Sequence, residues 1–345
     1  MKLLKRLLLL IFIVACGFIT IAYSWTFTPQ GRLDIAAAVI AKFSELSADP
    51  LVLDPERIEI LRNQANDQMG AALRLVPVTD AVTISDISIP GPGGAIRLRK
   101  YIPTHEGELP AMLWIHGGGF WMGNQLEDWD GRVAAMAADA GVAIFSVDYR
   151  LAPEHPWPAA VDDCYAALLW LYDHAKAQGL DANYIAVGGS SAGGNLAAAI
   201  TLRAREENGP AIVAQLLTVP ATDASDTVYE SDQLSAEGYV LTSQNIEAMI
   251  GAYLPNAADR LEPTASPLLA SSHKDLPPAL IITAQYDPLR DEGEAYGKKL
   301  QAAGVPVEMI RYDGAVHGLM GSFESMRDAH LAHVKFLKAA FSTNE

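Results

Sequence analysis

Apolar residues along the chain fall into two recurring patterns. Short, nearly continuous runs stand at Met112–Ile115, Val142–Val147, Tyr184–Val187, Ile212–Val219, Leu280–Thr283 and Val307–Ile310. Runs of this kind predict strands covered on both faces, as in a parallel sheet. Helical spacing fills most of the gaps: Arg132–Ala140, Val161–Ala177, Asn195–Glu206 and Glu292–Ala303. Strands alternating with helices predict a doubly wound α/β sheet. Ahead of these, Val82, Ile84, Ile87 and Ile89 alternate with polar residues. The turn Pro90-Gly91-Pro92-Gly93-Gly94 follows, then Ile96, Leu98 and Tyr101. This pattern predicts a hairpin that adds an antiparallel edge.

Two stretches depart from the rhythm. Ile35, Val39, Ile40 and Phe43 recur at helical spacing, as do Ile58, Leu61, Met69 and Leu73, with Pro50 and Pro55 between the two sets. From Pro220 to about Pro263 the chain is too long for a simple crossover, and it turns helical after Thr242. The two stretches are expected to pair as a cap over the carboxyl ends of the strands, where ligands bind in open α/β sheets. The expected organisation is a signal peptide or membrane anchor over residues 1–24 and N-terminal helices contributing to the cap over 25–80. The first part of the core follows over 81–220, then the cap insertion over 221–263 and the second part of the core over 264–345.

The N-terminus carries an address. Lys2, Lys5 and Arg6 precede an apolar run from Leu7 to Tyr23. A basic start followed by such a run marks export or membrane attachment. Three readings stay open: a cleaved signal, a lipoprotein signal at Ile13-Val14-Ala15-Cys16, and a retained anchor. The sequence stays apolar after Cys16, and Tyr23, Trp25 and Phe27 follow where an interfacial belt would sit. These features favour a bacterial chain anchored by residues 7–23, with the folded part held outside the cytoplasm.

The 345 residues, 50% hydrophobic and 19% charged, suffice for one large core with a lid. A net charge of −16, spread without blocks, argues against a nucleic-acid partner. Two cysteines, Cys16 and Cys164, make neither a disulfide framework nor a zinc pattern, so Cys164 reads as a buried apolar side chain. No ligand pattern calls for a metal or cofactor.

The candidate chemistry lies where strands end. Gly189-Ser190-Ser191-Ala192-Gly193 fits Gly-x-Ser-x-Gly between a strand and a helix, the turn that presents a nucleophilic serine above an α/β sheet. Only Ser191 has glycine at the required spacing on both sides, so Ser190 takes the x position. His116-Gly117-Gly118-Gly119 follows another strand. Glycines there can aim bare N–H groups at an oxyanion, so the expected donors are Gly118, Gly119 and Ala192. His116 reads as a support for that loop.

A serine hydroxyl needs a base, and the base needs an orienting acid. Chain order in this kind of sheet is Ser, then acid, then His. His317, in Gly314-Ala315-Val316-His317-Gly318, has the right order and a loop position after a strand. His330 and His333 fall in a terminal helix and read as exposed, and His273 comes too early. Asp287 follows the strand Leu280–Thr283 and is the preferred acid. Its competitor Asp291 pairs with Glu294 like a helix-capping couple. The predicted catalytic residues are therefore Ser191, Asp287 and His317.

These motifs, with Asp148-Tyr149-Arg150-Leu151-Ala152-Pro153-Glu154 and Asp287-Pro288-Leu289-Arg290-Asp291-Glu292-Gly293, resemble the hormone-sensitive lipase family, also called bacterial family IV, from about Pro110 onward. The resemblance implies an α/β-hydrolase core with a helical cap and hydrolysis of small-molecule esters with short to medium acyl chains. It also implies a homodimer, and structural roles for Asp148, Arg150 and Glu154. Ser190 departs from the family, which usually has Asp or Thr there. An amidase or deacetylase built on the same triad stays open, as does, further off, a non-catalytic receptor.

Overall fold

The computed structural model describes residues 17–47, 51–234 and 239–342. Its core is an eight-stranded sheet. The strands are β3 (Val82–Gly91), β4 (Gly94–Pro103), β5 (Leu109–Ile115), β6 (Ala143–Asp148), β7 (Leu180–Ser190), β8 (Ala214–Thr218), β9 (Ala279–Tyr286) and β10 (Val307–Val316). Their spatial order is β10-β9-β8-β7-β5-β6-β4-β3. The six strands from β10 to β6 run parallel, while β4 is antiparallel to both β6 and β3. The doubly wound sheet with a hairpin edge is thus the one expected. Two further strands, β1 (Phe27–Thr28) and β2 (Gly31–Arg32), form a separate small hairpin.

The apolar runs follow from burial on both faces. In β5, Leu113 and Ile115 belong to one buried cluster while Met112 and Trp114 belong to another. Alternate residues of a strand point to opposite faces, so most positions on the central strands are apolar, and a buried polar one such as Gln215 is hydrogen-bonded, here to the Pro277 carbonyl at 3.0 Å. The first cluster gathers residues from α4 (Ala159–His174), α5 (Ala192–Glu206) and α8 (Arg290–Ala302). The second gathers residues from α3 (Asp130–Ala140) and α9 (Phe323–Phe341). Cys164 on α4 is fully buried and unpaired, as expected, and burial pushes its thiol pKa up.

The stretches outside this rhythm are helical as well. They supply α1 (Ile35–Ser47), α2 (Ile58–Leu73), the short α6 (Glu230–Leu234) and α7 (Ser243–Tyr253). Thr242 caps α7, its hydroxyl accepting the Asn245 N–H at 3.1 Å. α2 is tied to the core through Arg62, which donates to the Trp121 and Ala152 carbonyls at 2.6 and 3.1 Å and forks onto Glu154.

The apolar N-terminal run falls largely outside the described residues. Its last part belongs to a helix over residues 17–24. Among the described residues, no helix is long and apolar enough to cross a membrane.

Candidate active site

The chain turns back on itself between β5 and β7. From β5 it passes to β6 on one side, then crosses over so that β7 lies on the other side of β5. The carboxyl ends of β5 and β7 therefore flank a topological switch point, where a crevice forms. β7 ends at Ser190, one residue before Ser191, and β5 ends at Ile115, one residue before His116.

Ser191 sits in a strained turn, with φ 57° and ψ −120°. A non-glycine residue there costs about 1–3 kcal/mol unless its surroundings hold it. Here they do: the Ser191 N–H donates to the Thr218 carbonyl at 2.9 Å, and the Ser191 carbonyl accepts from Asn195 N–H at 3.1 Å. The flanking glycines are required by space. A Cβ on Gly189 would lie 2.2 Å from the Gly193 carbonyl oxygen, and one on Gly193 would lie 2.0 Å from that of Ile115. Both obstacles are backbone and cannot swing away. Gly193→Ala is therefore expected to destabilise the protein by about 3 kcal/mol or more, the severe end of overpacking. Gly251→Ala on α7, where a Cβ meets nothing within 4 Å, serves as a control expected to unfold no earlier than the parent. Paired urea melts check both, and equal midpoints would discard the packing argument.

Three residues from distant parts of the chain meet at this turn. Ser191 Oγ lies 2.9 Å from His317 Nε2, and His317 Nδ1 lies 2.8 Å from Asp287 Oδ2. A carboxylate only accepts, so Nδ1 carries the proton and donates to Asp287. Nε2 is left as the acceptor for the serine hydroxyl. Asp287 is fully buried, and its other oxygen accepts the Leu289 N–H at 3.0 Å. That second bond fixes the carboxylate's rotation and aims Oδ2 at the imidazole.

The remaining histidines and the rival acid lie elsewhere. His273 Nε2 donates to the Pro267 carbonyl at 3.0 Å, and His330 bonds Asp139 at 2.7 Å. His333 corrects the expectation of an exposed helix face: it is tucked against the sheet with Nε2 3.0 Å from Thr218 Oγ1, and burial pushes its pKa down to about 3. Asp291 does not form a capping couple with Glu294 either. Its carboxylate accepts the Ser231 N–H at 2.9 Å, while Glu294 reaches Thr283 and Arg311. It anchors α6 to the root of α8.

The glycine loop passes over the serine. A Cβ on Gly117 would lie 3.4 Å from Ser191 Cβ. Gly118 (φ +126°) and Gly119 (φ +57°) adopt left-handed backbone that favours glycine. Among the described residues, neither N–H has a protein acceptor. Ala192 begins α5, so its N–H is one of the unpaired groups at a helix start. The three groups expected to bind an oxyanion thus lie on the two segments that flank Ser191.

His116 holds this loop from beneath. Its buried ring stacks on Tyr149 with centroids 4.3 Å apart, and Nδ1 lies 2.8 Å from the Gly117 carbonyl. The Tyr149 hydroxyl donates to the His116 carbonyl at 3.0 Å. Burial pushes the His116 pKa down to about 4. The unfolded chain takes up that proton near pH 6.5 and the folded ring does not until about pH 4, so stability falls as pH falls between those values. The slope from this group approaches about 1.4 kcal/mol per pH unit. His116→Asn, which keeps a donor for Gly117, should flatten the dependence between pH 6.5 and 5 in urea titrations. An unchanged slope would remove His116 from the acid response.

Arg150 and Asp148 are tied as supports. Arg150 forks onto buried Asp163 with both bonds at 2.8 Å, and Asp148 accepts from Arg97 at 3.2 Å.

Known proteins fit this geometry. A family model described as alpha/beta hydrolase fold matches residues 112–321. The chain belongs to the α/β-hydrolase family. The motif resemblance to the hormone-sensitive lipase group agrees with that membership. Among relatives, the chain is 44% identical over 250 residues to the carboxylic ester hydrolase LipN of Mycobacterium tuberculosis, a match spanning 70% of this chain and 66% of that one. It is 43% identical over 269 residues to the esterase LipI of the same species, covering 76% of this chain and 82% of the relative. Among solved structures, a Pyrobaculum calidifontis esterase superposes with a TM-score of 0.80 at 36% identity, covering 87% of this chain and 97% of that one. The ester hydrolase EH1AB1 from the Lake Arreo metagenome, complexed with a derivative of bipyridine phosphonate, gives a TM-score of 0.83 at 34% identity, covering 92% and 100%.

Sequence reasoning places Met249 in the insertion but gives it no role. Its sulfur lies where a Cβ on Gly119 would be, 2.3 Å from that position, so α7 lies directly against the glycine loop. No motif marks such a residue, because the contact spans the insertion. The buried Glu292 was also missed. It accepts the Thr222 N–H at 2.5 Å, fixing the chain where the insertion departs, and burial raises its pKa well above the usual range.

Proposed function

We propose that this α/β-hydrolase cleaves small-molecule carboxylic esters with short to medium acyl chains, using Ser191 as nucleophile, His317 as base and Asp287 as orienting acid. The continuous bond chain from Ser191 Oγ through His317 to Asp287, set at the switch point beneath the glycine loop, carries this reading. His317 takes the serine proton as Oγ attacks the ester carbonyl, and Asp287 stabilises the imidazolium. The N–H groups of Gly118, Gly119 and Ala192 bind the developing oxyanion. His317 then protonates the leaving alkoxide, and water attacks the acyl-enzyme by the same route.

Residues 25–80 and 221–263 serve as the cap, supported by the contact of Met249 with the glycine loop and of Arg62 with the segment after it. The apolar run over residues 7–23 exports the enzyme or attaches it to a membrane, on the outer side. A series of p-nitrophenyl esters of increasing chain length tests the activity. Turnover highest among the shorter acyl groups is expected. Absence of turnover across the series, with hydrolysis of the matching anilides instead, would replace this reading by an amidase.

A further inference from the structure

Strands β9 and β10 run parallel, and Asp287 and His317 each follow the last residue of one of them. From Val307 opposite Ala279 to Tyr312 opposite Ala284, their register holds a constant offset of 28 residues. The next pair, Val316 opposite Tyr286, has an offset of 30. Asp313, Gly314 and Ala315 therefore face the single residue Gln285, a bulge with two extra residues on β10. The consequence reaches the acid and the base. Continued unbroken, the first register would bring Ala315 level with Asp287. The shifted register brings His317 there instead, and its Nδ1 lies 2.8 Å from Asp287 Oδ2. Bulges beside active sites re-aim side chains, and this one selects which residue meets the acid.

A bulge takes backbone groups out of the ladder, and Gly314 is buried, so its N–H and carbonyl need other partners. The Gln285 side chain supplies the acceptor: its Oε1 takes the Gly314 N–H at 2.8 Å. Its Nε2 donates to the Gln30 carbonyl at 3.0 Å, so only this orientation of the amide satisfies both neighbours. The Gln285 carbonyl accepts from Arg290 Nη1 at 3.0 Å, which ties the same residue to the root of α8. On the other side, the Gly314 carbonyl accepts the Asp34 N–H at 3.0 Å. Gly314 has φ +75°, and a Cβ there would lie 3.1 Å from the Arg32 carbonyl oxygen. The bulge is thus held by a β9 side chain and by the N-terminal arm over residues 30–34. Tyr286 and Val316, the pair that resumes the ladder, pack with Leu33, Ala37 and Ala38 in a cluster separate from the two on the sheet.

We propose that Gln285 is a positioning residue for the ester hydrolysis. By holding the bulge between Tyr312 and Val316, it sets His317 level with Asp287. Its amide acts through Gly314 and the Gln30 carbonyl, and has no bond to the three residues of the triad. The inference rests on the ester-hydrolase reading above.

The test compares the full chain with Gln285→Met, which keeps the length of the side chain and removes both polar ends. A misaimed base costs turnover, so kcat for p-nitrophenyl butyrate should fall by about ten- to hundred-fold. KM should stay within about two-fold, because no binding group is lost. The second readout is the far-downfield proton resonance of His317 Nδ1–H, which reports the bond to Asp287 itself. It should be sharp in the parent and broadened or lost in the variant. Thr28→Val is the control: it cuts the arm's 2.9 Å bond to the Tyr286 hydroxyl and leaves the bulge bonds in place. It should keep the resonance, and its kcat should stay within about two-fold of the parent. Parent-like kcat in Gln285→Met, a lowered kcat with the resonance unchanged, or an equal loss in Thr28→Val would each overturn the proposal. If Gln285→Met does not fold, Gln285→Asn, whose amide stops one carbon short of Gly314, is read by the same criteria. A parent inert toward the ester would overturn the ester-hydrolase reading instead, and the resonance alone would then decide the role of Gln285.

Discussion

Ser191→Ala is expected to lower ester turnover by about 10⁶-fold in kcat, on the scale seen when a triad nucleophile is removed. That corresponds to about 8 kcal/mol of barrier. The substitution deletes one oxygen and leaves the turn intact, because the bonds that hold the turn are backbone bonds at Thr218 and Asn195. Far-ultraviolet circular dichroism and the urea midpoint should therefore match the parent. Ser190→Ala is the matched control. Ser190 is the last residue of β7, paired with Thr218 in the sheet, and its hydroxyl has no bond to His317. Its kcat should stay within ten-fold of the parent. Initial rates on p-nitrophenyl butyrate decide the matter, and substantial turnover in Ser191→Ala would remove the serine from the mechanism.

Asp287→Asn should cost about 10⁴-fold in kcat while leaving KM nearly unchanged. The size follows from the tautomer. Asp287 Oδ2 accepts from His317 Nδ1, which leaves Nε2 free to accept the serine proton. An asparagine can present its NH₂ to Nδ1 instead, which favours a proton on Nε2 and abolishes the base. The Leu289 N–H already donates to Oδ1, so the amide oxygen is drawn to that side and the NH₂ is left facing the imidazole. Asp291→Asn, by contrast, removes a charge that faces Ser231 and Arg290 and not the imidazole, and should leave kcat within ten-fold. If the two variants behaved alike, Asp287 would not be the orienting acid.

Much of the sheet was legible because central strands are buried on both sides. Runs such as Met112–Ile115 and Leu280–Thr283 had to be continuous, and they fall within β5 and β9. Strand ends were less legible, and the reason is local. β10 continues through Arg311, Tyr312 and Asp313 to Val316, but it lies at the sheet edge and pairs only with β9. Polar side chains are tolerated there, so the apolar run stopped at Ile310. A register shift between Tyr312 and Val316 blurs the pattern further. β7 likewise begins at Leu180, with Asp181 and Asn183 ahead of its apolar centre.

The candidate site was legible where backbone sterics demand a residue type. Gly189 and Gly193 are forced by carbonyl groups about 2 Å from any added Cβ, so the spacing around Ser191 carries real information. Helix faces carry less. His333 sits in α9 at a spacing that does not separate its buried side from its solvent side, and only the fold reveals its bond to Thr218. Asp291 and Glu294 match the spacing of a capping couple. However, α8 already begins at Arg290, which puts Asp291 inside the first turn rather than ahead of it.

The most direct measurement is active-site labelling of the parent enzyme with a fluorophosphonate ester, followed by peptide mapping. The reagent mimics the tetrahedral intermediate and stays bonded to the oxygen that attacks. One adduct per chain on Ser191 is predicted, with labelling lost in His317→Gln as well as in Ser191→Ala. An adduct on Ser190 or any other residue in a fully inactivated enzyme would contradict the assignment.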